Sequence, residues 1–547
     1  MTTLIDLYRA KLESSRDKRA LLAHGFPGET WDDVAKQVDR VGMFLIGRGV
    51  QPGQLVASIS ENRWEWVAID LGILSAGAVH VPLHPTLAIE QMLAQLRHAE
   101  PTVLFVSKLE TAQRLRSVGL PESIRTIVAL DADRPQPLDF WLDWTFVVMA
   151  GEQVDPAELE RRRDAVRADT VATVIYTSGT TGRPKGVVLT HGNLASNARG
   201  VCAAYSDRPG DLRLNMLPLS HIYARTCDLY TWLIRDTVLA FARSRETILE
   251  DCRAYRPNSL NSVPYFYQRV LRGLREKGLL DTPGALKQAL GGEIRICYCG
   301  GARLPEEVYE LFLRQGVLLL QGYGLTETSP VITASTPDRH APGSVGPTIP
   351  GVEVHVADDG EIVTRGPHVM RGYYRDEAAT AEVLSPDGWF RTGDLGQIDD
   401  DGMLRIVGRK KEMIVTAAGK NVHPAYLESL LAQEPLIEQV CIVGEGRKHL
   451  AALIVPNPER LRAEIKRMRL WVFSKGQALR HRKVLALYRE AIDRRLACVS
   501  HHEQAPKFVL LDRAFAIEKG ETTPKLSLCR AVIEANYRGL VERIYQE

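Results

Sequence analysis

From Gln54 to Leu130 short apolar runs, LVASIS, TVLFV and RTIVAL, alternate with amphipathic stretches such as WEWVAIDLGILSAG and AIEQMLAQLRHAE. This βα alternation calls for a largely parallel sheet with helices on its faces. It resumes at TVATVIYT and continues through TVLAFA, NSLNSVP, EIRICYC and VLLLQGYG, so the sequence predicts two stacked α/β layers. After about Pro342 the texture changes: GVEVHVADDGEIVTRG sets turn residues between alternating apolar positions, the pattern of antiparallel hairpins. Residues from about 342 to 408 therefore read as a small β-rich subdomain closing a large N-terminal domain, 1–408. A second change follows GRKKEMIV near Arg409. There the strand runs MLRIVG, VCIVGE and LAALIVP alternate with the helical runs HPAYLESLLAQ and VLALYREAIDRRL, which marks residues 412–547 as a separate small α+β domain.

A chain of 547 residues with 45% hydrophobic content has ample material for several domains, as an enzyme of this layout requires. The formal net charge of +2 excludes nucleic acid as a bulk electrostatic partner, so any phosphate ligand must be met locally. Of the eight cysteines, Cys297 and Cys299 form an isolated C-x-C inside IRICYC, which predicts reduced, buried strand residues rather than a zinc cluster. Charges interrupt the apolar positions of the first twenty residues, and no later run reaches the length of a membrane span. The expectation is a cytoplasmic protein whose membrane association is at most peripheral. No fixed-period repeat or low-complexity tract is present.

The most informative segment is YTSGTTGRPKGVVLTH, Tyr176 to His191, set between the strand-like TVATVI and the helix-like GNLASNARG. Gly179 and Gly182 let backbone N–H groups approach phosphate oxygens. Thr177, Ser178, Thr180 and Thr181 add hydroxyl donors, and Lys185 adds a point charge. A polar turn needs fewer such residues. The loop is not of Walker A type, because Lys185 lies three residues beyond Gly182 and is followed by Gly186.

This loop resembles the phosphate-binding signature of the adenylate-forming superfamily, which includes acyl-CoA synthetases, luciferases and nonribosomal-peptide adenylation domains. The likeness covers nearly the whole chain. QGYGLTETSP, Gln321 to Pro330, is similar to the second signature, which implies that Thr326 contacts the α-phosphate and Glu327 helps to hold Mg²⁺, with Thr177 as a second ligand. GWFRTGDLG resembles the third and implies Asp394 as the ligand of the ribose hydroxyls; in IVGRKKEMIV, Arg409 is the second ribose or phosphate contact by position. YCGGA, Tyr298 to Ala302, resembles the segment that flanks adenine through Gly300, Gly301 and Ala302, with Tyr323 stacking on the base beside Gly324. Taken singly, Glu327 reads equally as a surface carboxylate and Asp394 as a turn residue. Their order and spacing within the set make the difference. The chemistry agrees, since a carboxylate attacking the α-phosphate of ATP is an anion approaching a polyanion and needs metal and lysine beside it.

PLSHIYARTCDLY resembles the family's helix entry near the acyl pocket and α-phosphate, which places His221 there, although a lone histidine is commonly structural. The wording of this segment is closest to long-chain acyl-CoA synthetases. A fatty or similarly apolar acid is then implied, with pocket walls near Thr226, Tyr230 and Gly300. The family swivels its C-terminal lobe about a hinge that falls at 409–411, which puts Lys411 at the pivot and makes 412–547 a mobile lid; Gly419 would border the pantetheine channel. Lys411 alone also reads as an ordinary exposed lysine.

The pattern departs at the C-terminus. Where long-chain relatives end in a segment similar to T-P-T-L-K-L-K-R, this chain reads TPKLSLCR, so Ser527 stands where the catalytic lysine is expected. Lys525, two residues earlier, reaches the same side if the segment is extended, and points elsewhere if it is helical. Lys519 and a weakened adenylation step are the alternatives. The basic stretch Glu464 to Lys483, with Trp471 and Phe473, reads either as a contact for anionic membrane or CoA phosphate, or as a solvated face with its aromatics packed inward. The sequence thus predicts an AMP-forming acyl-CoA synthetase using Mg²⁺, ATP and CoA, with a hydrophobic carboxylic acid as substrate. Its rivals are an enzyme that loads a carrier-protein phosphopantetheine arm and a low-activity acyl- or nucleotide-binding relative.

Overall fold

The computed structural model describes residues 2–26, 28–131, 141–151, 154–177, 184–516, 518–522 and 528–546. It divides into two compact units. One is Met1–His355 with Val363–Thr392 and Asp399–Leu404; the other is Val356–Ile362 with Gly393–Ile398 and Arg405–Glu547.

The first unit holds two large sheets. In the eight-stranded sheet the order is Gly372–Tyr373, Lys185–Thr190, Val171–Thr177, Val79–Leu83, Leu55–Ile59, Val103–Val106, Thr126–Ala129 and Trp141–Leu142. Pairing is parallel from Val171–Thr177 to Trp141–Leu142. It is antiparallel through Lys185–Thr190 to Gly372–Tyr373. The seven-stranded sheet runs Leu21–Leu22, Val238–Phe241, Leu212–Asn215, Ser259–Ser262, Ile296–Cys299, Leu318–Gly324 and Val331–Ala334, with only the last strand antiparallel. One core draws on both sheets, joining Ile175, Val187 and Leu189 from the first to Leu239 and Phe241 from the second, with Trp31, Trp66 and Trp232 between. These are the two α/β layers expected from the βα alternation. Helix Trp64–Ser75 is buried on every side, which is why its sequence is apolar almost throughout. Cys297 and Cys299 are unbridged and share one buried face of their strand, where burial pushes both thiols up.

The segment after Pro342 carries the strands Glu353–Val356, Glu361–Arg365, Phe390–Ile398 and Leu404–Arg409, and its residues are shared between the two units. In the second unit Ile437–Val443 pairs antiparallel with Ala451–Pro456, which pairs in parallel with Lys507–Leu510. Alternation along Ala451–Pro456 divides two cores. Ala452 and Ile454 pack with Leu427, Val484, Tyr488 and Ile492, while Ala451 and Leu453 face Phe515, Ile533 and Tyr537. Among the described residues no helix is long and apolar enough to cross a membrane.

Candidate active site

The segment singled out at Tyr176–His191 is a hairpin rather than a strand-to-helix loop. KGVVLT forms the strand Lys185–Thr190, in register with Val171–Thr177 so that Thr177 faces Lys185 and Tyr176 faces Gly186. Val187, Val188 and Leu189 are all buried, and β-branched residues suit a strand covered on both faces. The helix starts only at His191, after a capping box: Thr190 Oγ1 accepts from Asn193 N–H (3.1 Å) and Asn193 Oδ1 from Thr190 N–H (2.8 Å). Ser178, Gly179, Thr180, Thr181 and Gly182 lie outside the described residues.

Gly372–Tyr373 extends this hairpin, with Tyr373 opposite Val187. Lys185 is two residues from Val187 and so lies on the same face as it. Its Nζ stands 4.7 Å from the centroid of the Tyr373 ring. The Tyr373 hydroxyl donates to Glu327 Oε1 at 3.0 Å, and Met370 N–H donates to the Glu327 carbonyl at 2.8 Å. Burial first, and then the Glu327 charge, raise the Tyr373 pKa, so the phenol stays a proton donor. Two expected site residues from distant segments, Lys185 and Glu327, thus meet at a tyrosine that belongs to none of the sequence motifs, while Thr177 pairs with Lys185 across the hairpin. Its only signal was an aromatic pair in RGYYRDE. A half-buried carboxylate oriented by a phenol is a hard-oxygen donor of the kind that suits Mg²⁺.

Glu327 sits in a tight turn, Thr326–Thr328, that follows the strand Leu318–Gly324. A Cβ on Gly324 would lie 1.7 Å from the Pro330 carbonyl oxygen, so the chain can fold back only through glycine. Thr328 Oγ1 accepts from Leu325 N–H (2.9 Å), and Asn197 holds Val331 through its carbonyl (2.7 Å) and its N–H (3.1 Å). Thr226 Oγ1 donates to the Ser329 carbonyl at 2.7 Å. Thr226, expected at the acyl-pocket wall, is fully buried, and its bond to Ser329 braces the Thr326–Glu327 turn. Tyr230, expected beside it, is also fully buried, and its hydroxyl donates to Asp70 Oδ2 (3.0 Å) inside the core. Both belong to the π-helical turn Arg225–Tyr230, whose wider winding redirects side chains that a regular helix would place elsewhere.

The strands Ile296–Cys299 and Leu318–Gly324 run in parallel with Cys299 opposite Gln321, so Gly300, Gly301 and Ala302 emerge beside Gly322 and Tyr323. This is the carboxyl edge of a parallel sheet, where α/β folds take their ligands. Gly301 and Ala302 are exposed and Tyr323 is half-buried. A Cβ on Gly300 would come within 3.1 Å of the Tyr223 ring. Tyr223 follows His221, whose Nδ1 accepts from Tyr223 N–H (3.2 Å) and caps the turn Ile222–Ala224. His221 therefore positions the residue that packs on Gly300.

In the second unit Asp394 and Arg409 form an ion pair, Arg409 Nε to Asp394 Oδ1 at 3.0 Å, with Asp394 buried and Arg409 largely exposed. Lys411 is exposed on the turn Lys410–Glu412, whereas Lys410 is held by Asp359 (2.7 Å) and Glu361 (3.0 Å). Gly419 has φ +70° in the turn between Ile414–Val415 and Asn421–Val422. Lys525 and Ser527 lie outside the described residues; Thr522 bridges Leu528 across that segment, and Lys519 is exposed.

Residues 8–374 match the AMP-binding enzyme family and residues 411–547 match the AMP-binding enzyme C-terminal domain. The chain belongs to the AMP-binding enzyme family. Within that family the long-chain-fatty-acid–CoA ligase FadD15 of Mycobacterium bovis is 34% identical, covering 94% of this chain and 93% of its own length. The chloroplastic long-chain-fatty-acid–[acyl-carrier-protein] ligase AEE15 of Arabidopsis thaliana is 26% identical, over 99% of this chain and 86% of its own. The fold is shared with the anthranilate CoA ligase AuaEII, solved in complex with anthranoyl-AMP, at a TM-score of 0.81 and 20% identity, covering 99% of this chain and 98% of that one. Acyl-CoA ligases of the family use ATP, Mg²⁺ and CoA.

Proposed function

We propose that this AMP-binding enzyme is an AMP-forming acid–thiol ligase that activates a fatty or similarly hydrophobic acid and transfers the acyl group to CoA. The observation that carries the reading is the convergence of Lys185 and Glu327 on Tyr373 at the mouth of the Thr177 hairpin. The likeness to FadD15 over nearly the whole chain supports a long-chain acid. In this reading Thr177 to Gly182 and Lys185 hold the triphosphate, Thr326 meets the α-phosphate, and Glu327 with Thr177 holds Mg²⁺. When bound, that ion supplies positive charge between the phosphates and the incoming carboxylate. Gly300 to Ala302, Tyr323 and Gly324 form the adenine platform, and Asp394 with Arg409 serves the ribose.

In the first half-reaction a carboxylate oxygen bonds to the α-phosphorus and pyrophosphate leaves. In the second, the CoA thiolate bonds to the acyl carbon and AMP leaves. His221 stays a candidate for the acyl-side wall, Lys411 for the pivot between the two steps, and Gly419 for the pantetheine path. Lys525 is proposed to bridge carboxylate and ATP in the first step only. A second reading, transfer to a carrier-protein thiol, is favoured by the likeness to AEE15.

An acid-panel pyrophosphate assay with and without CoA tests both. Release that requires a long-chain acid, together with AMP formation that requires CoA, is expected. Carrier-protein loading in place of CoA acylation would transfer the assignment to the second reading, and no release with any acid would overturn both. Lys525→Ala is expected to slow adenylation more than thioester formation from supplied acyl-AMP. Full adenylation in that variant would pass the role to Lys519.

A further inference from the structure

The second unit carries a surface that none of these roles uses. Helix Pro458–Arg467 is capped by Met468, and the next residue, Arg469, takes a left-handed φ of +51° that stops the helix. Five residues later Ser474 caps the helix Lys475–Arg480, its Oγ accepting from Gln477 N–H at 3.2 Å, while Phe473 N–H donates to Gln477 Oε1 at 2.8 Å. The loop between is therefore held at both ends. It presents Trp471 and Phe473 to solvent with 85% and 87% of their surfaces exposed, more than any other large hydrophobic among the described residues.

The inward packing considered from the sequence is not what the chain adopts. The core below is already filled by Leu461, Leu479, Val484 and Tyr488, with Met468 and Leu470 against it. Trp471 and Phe473 instead flank a shallow recess of about 370 Å³. Lys466, Arg469, Arg480, Arg482 and Lys483 are all exposed, and residues 468–483 contain no Asp or Glu.

Two solvated aromatic rings cost free energy unless something apolar receives them, and the cations around them ask for an anionic partner. A nucleotide phosphate answers the cations and leaves the rings in water. A folded acidic protein would need a matching apolar bed for both rings. An anionic bilayer offers phosphate and hydrocarbon at the depths where lysine, arginine and aromatic residues settle.

We propose that the Leu470–Ser474 loop docks the C-terminal unit on anionic membrane, Trp471 and Phe473 entering the headgroup boundary while Lys466, Arg469, Arg480, Arg482 and Lys483 lie over lipid phosphates. The assignment stands on this surface and does not depend on the acid being fatty.

Co-sedimentation of the full chain with vesicles of equal parts phosphatidylglycerol and phosphatidylcholine, and of phosphatidylcholine alone, tests it. Binding to the mixed vesicles that weakens with salt is expected. Trp471→Ala with Phe473→Ala should lower the partition by about tenfold or more, since two anchors are lost. Lys466→Glu with Arg469→Glu should weaken it as well. Both side chains of the first pair are exposed, so its thermal midpoint and its rate of acid-dependent pyrophosphate release without vesicles should stay at wild-type values. Absence of vesicle binding by the wild-type chain, or wild-type binding by the aromatic variant, would overturn the proposal. So would variants that keep vesicle binding but raise the KM for CoA or lose retention of an acidic carrier protein.

Discussion

Replacing Glu327 with alanine is expected to lower acid-dependent pyrophosphate release by about 100-fold or more while the protein stays folded, because it removes the carboxylate proposed to hold Mg²⁺, the positive charge between the phosphates and the incoming acid. The backbone of the turn does not depend on that side chain. Met370 N–H bonds to the Glu327 carbonyl, Thr328 to Leu325, and Thr226 to Ser329. The loss should therefore appear in turnover and in the Mg²⁺ titration rather than in the thermal midpoint. Tyr373→Phe separates orientation from charge. It leaves the carboxylate in place and removes the 3.0 Å bond that aims it. Partners of this kind commonly contribute about tenfold to metal affinity, so the Tyr373→Phe titration should shift to higher Mg²⁺, with much of the rate recovered at saturation. An unchanged Mg²⁺ dependence in both variants would remove Glu327 and Tyr373 from the metal site.

That pair also shows where reading the sequence stops. The strand runs were legible because each is short, apolar and bounded by turn residues, and both sheets consist largely of them. KGVVLT reads as part of the loop before it, since six residues between a glycine-rich segment and a helix cap carry too little periodicity to stand out. Tyr373 was invisible for a different reason. Its partner is 46 residues away in the chain, and only the pairing of Gly372–Tyr373 with Lys185–Thr190 brings the two together. The resemblance of PLSHIYARTCDLY puts Thr226 and Tyr230 near an acyl pocket but does not show how their side chains are aimed; the π-helical turn decides that, and it sends one to the Ser329 carbonyl and the other to Asp70. Trp471 and Phe473 have the hydrophobicity of core residues. Whether the core has room for them depends on Tyr488 and Val484, which lie on another helix.

Asp70→Ala is expected to cost about 3–5 kcal/mol of stability, the range for breaking a buried ion pair by removing one partner. Asp70, His80 and Arg225 are each fully buried. Arg225 is bonded to Asp70 Oδ1 and to Thr173 Oγ1 (2.8 Å), and its guanidinium lies 5.5 Å from the Trp66 ring centroid. Without the carboxylate this charge stays in the interior uncompensated, and Tyr230 loses its acceptor as well. Ser58 Oγ, His80 and Asp70 are linked at 2.7 Å and 2.7 Å in the order of a nucleophile, base and acid. The resemblance to a hydrolytic triad ends there, because Ser58 is 1% exposed and Arg225 already occupies Asp70. The bonds suit a neutral imidazole, with Nδ1–H donating to Asp70 and Nε2 accepting from Ser58. Burial holds the His80 pKa down at about 4, against the pull of Asp70, and does the same for His191 and His368. The unfolded chain protonates these imidazoles near pH 6.5, so between about pH 6.5 and pH 4 it binds more protons than the folded one. Stability should therefore fall steadily as pH is lowered through that window, before the carboxylates titrate. Burial works to raise the Asp70 pKa, but the Arg225 charge and the His80 bond hold it below the usual value, so its contribution is lost as pH falls through and below the ordinary carboxylate range. Urea midpoints measured between pH 7 and pH 4 test the slope, and a midpoint that is flat across that interval would show that these histidines take up protons without unfolding.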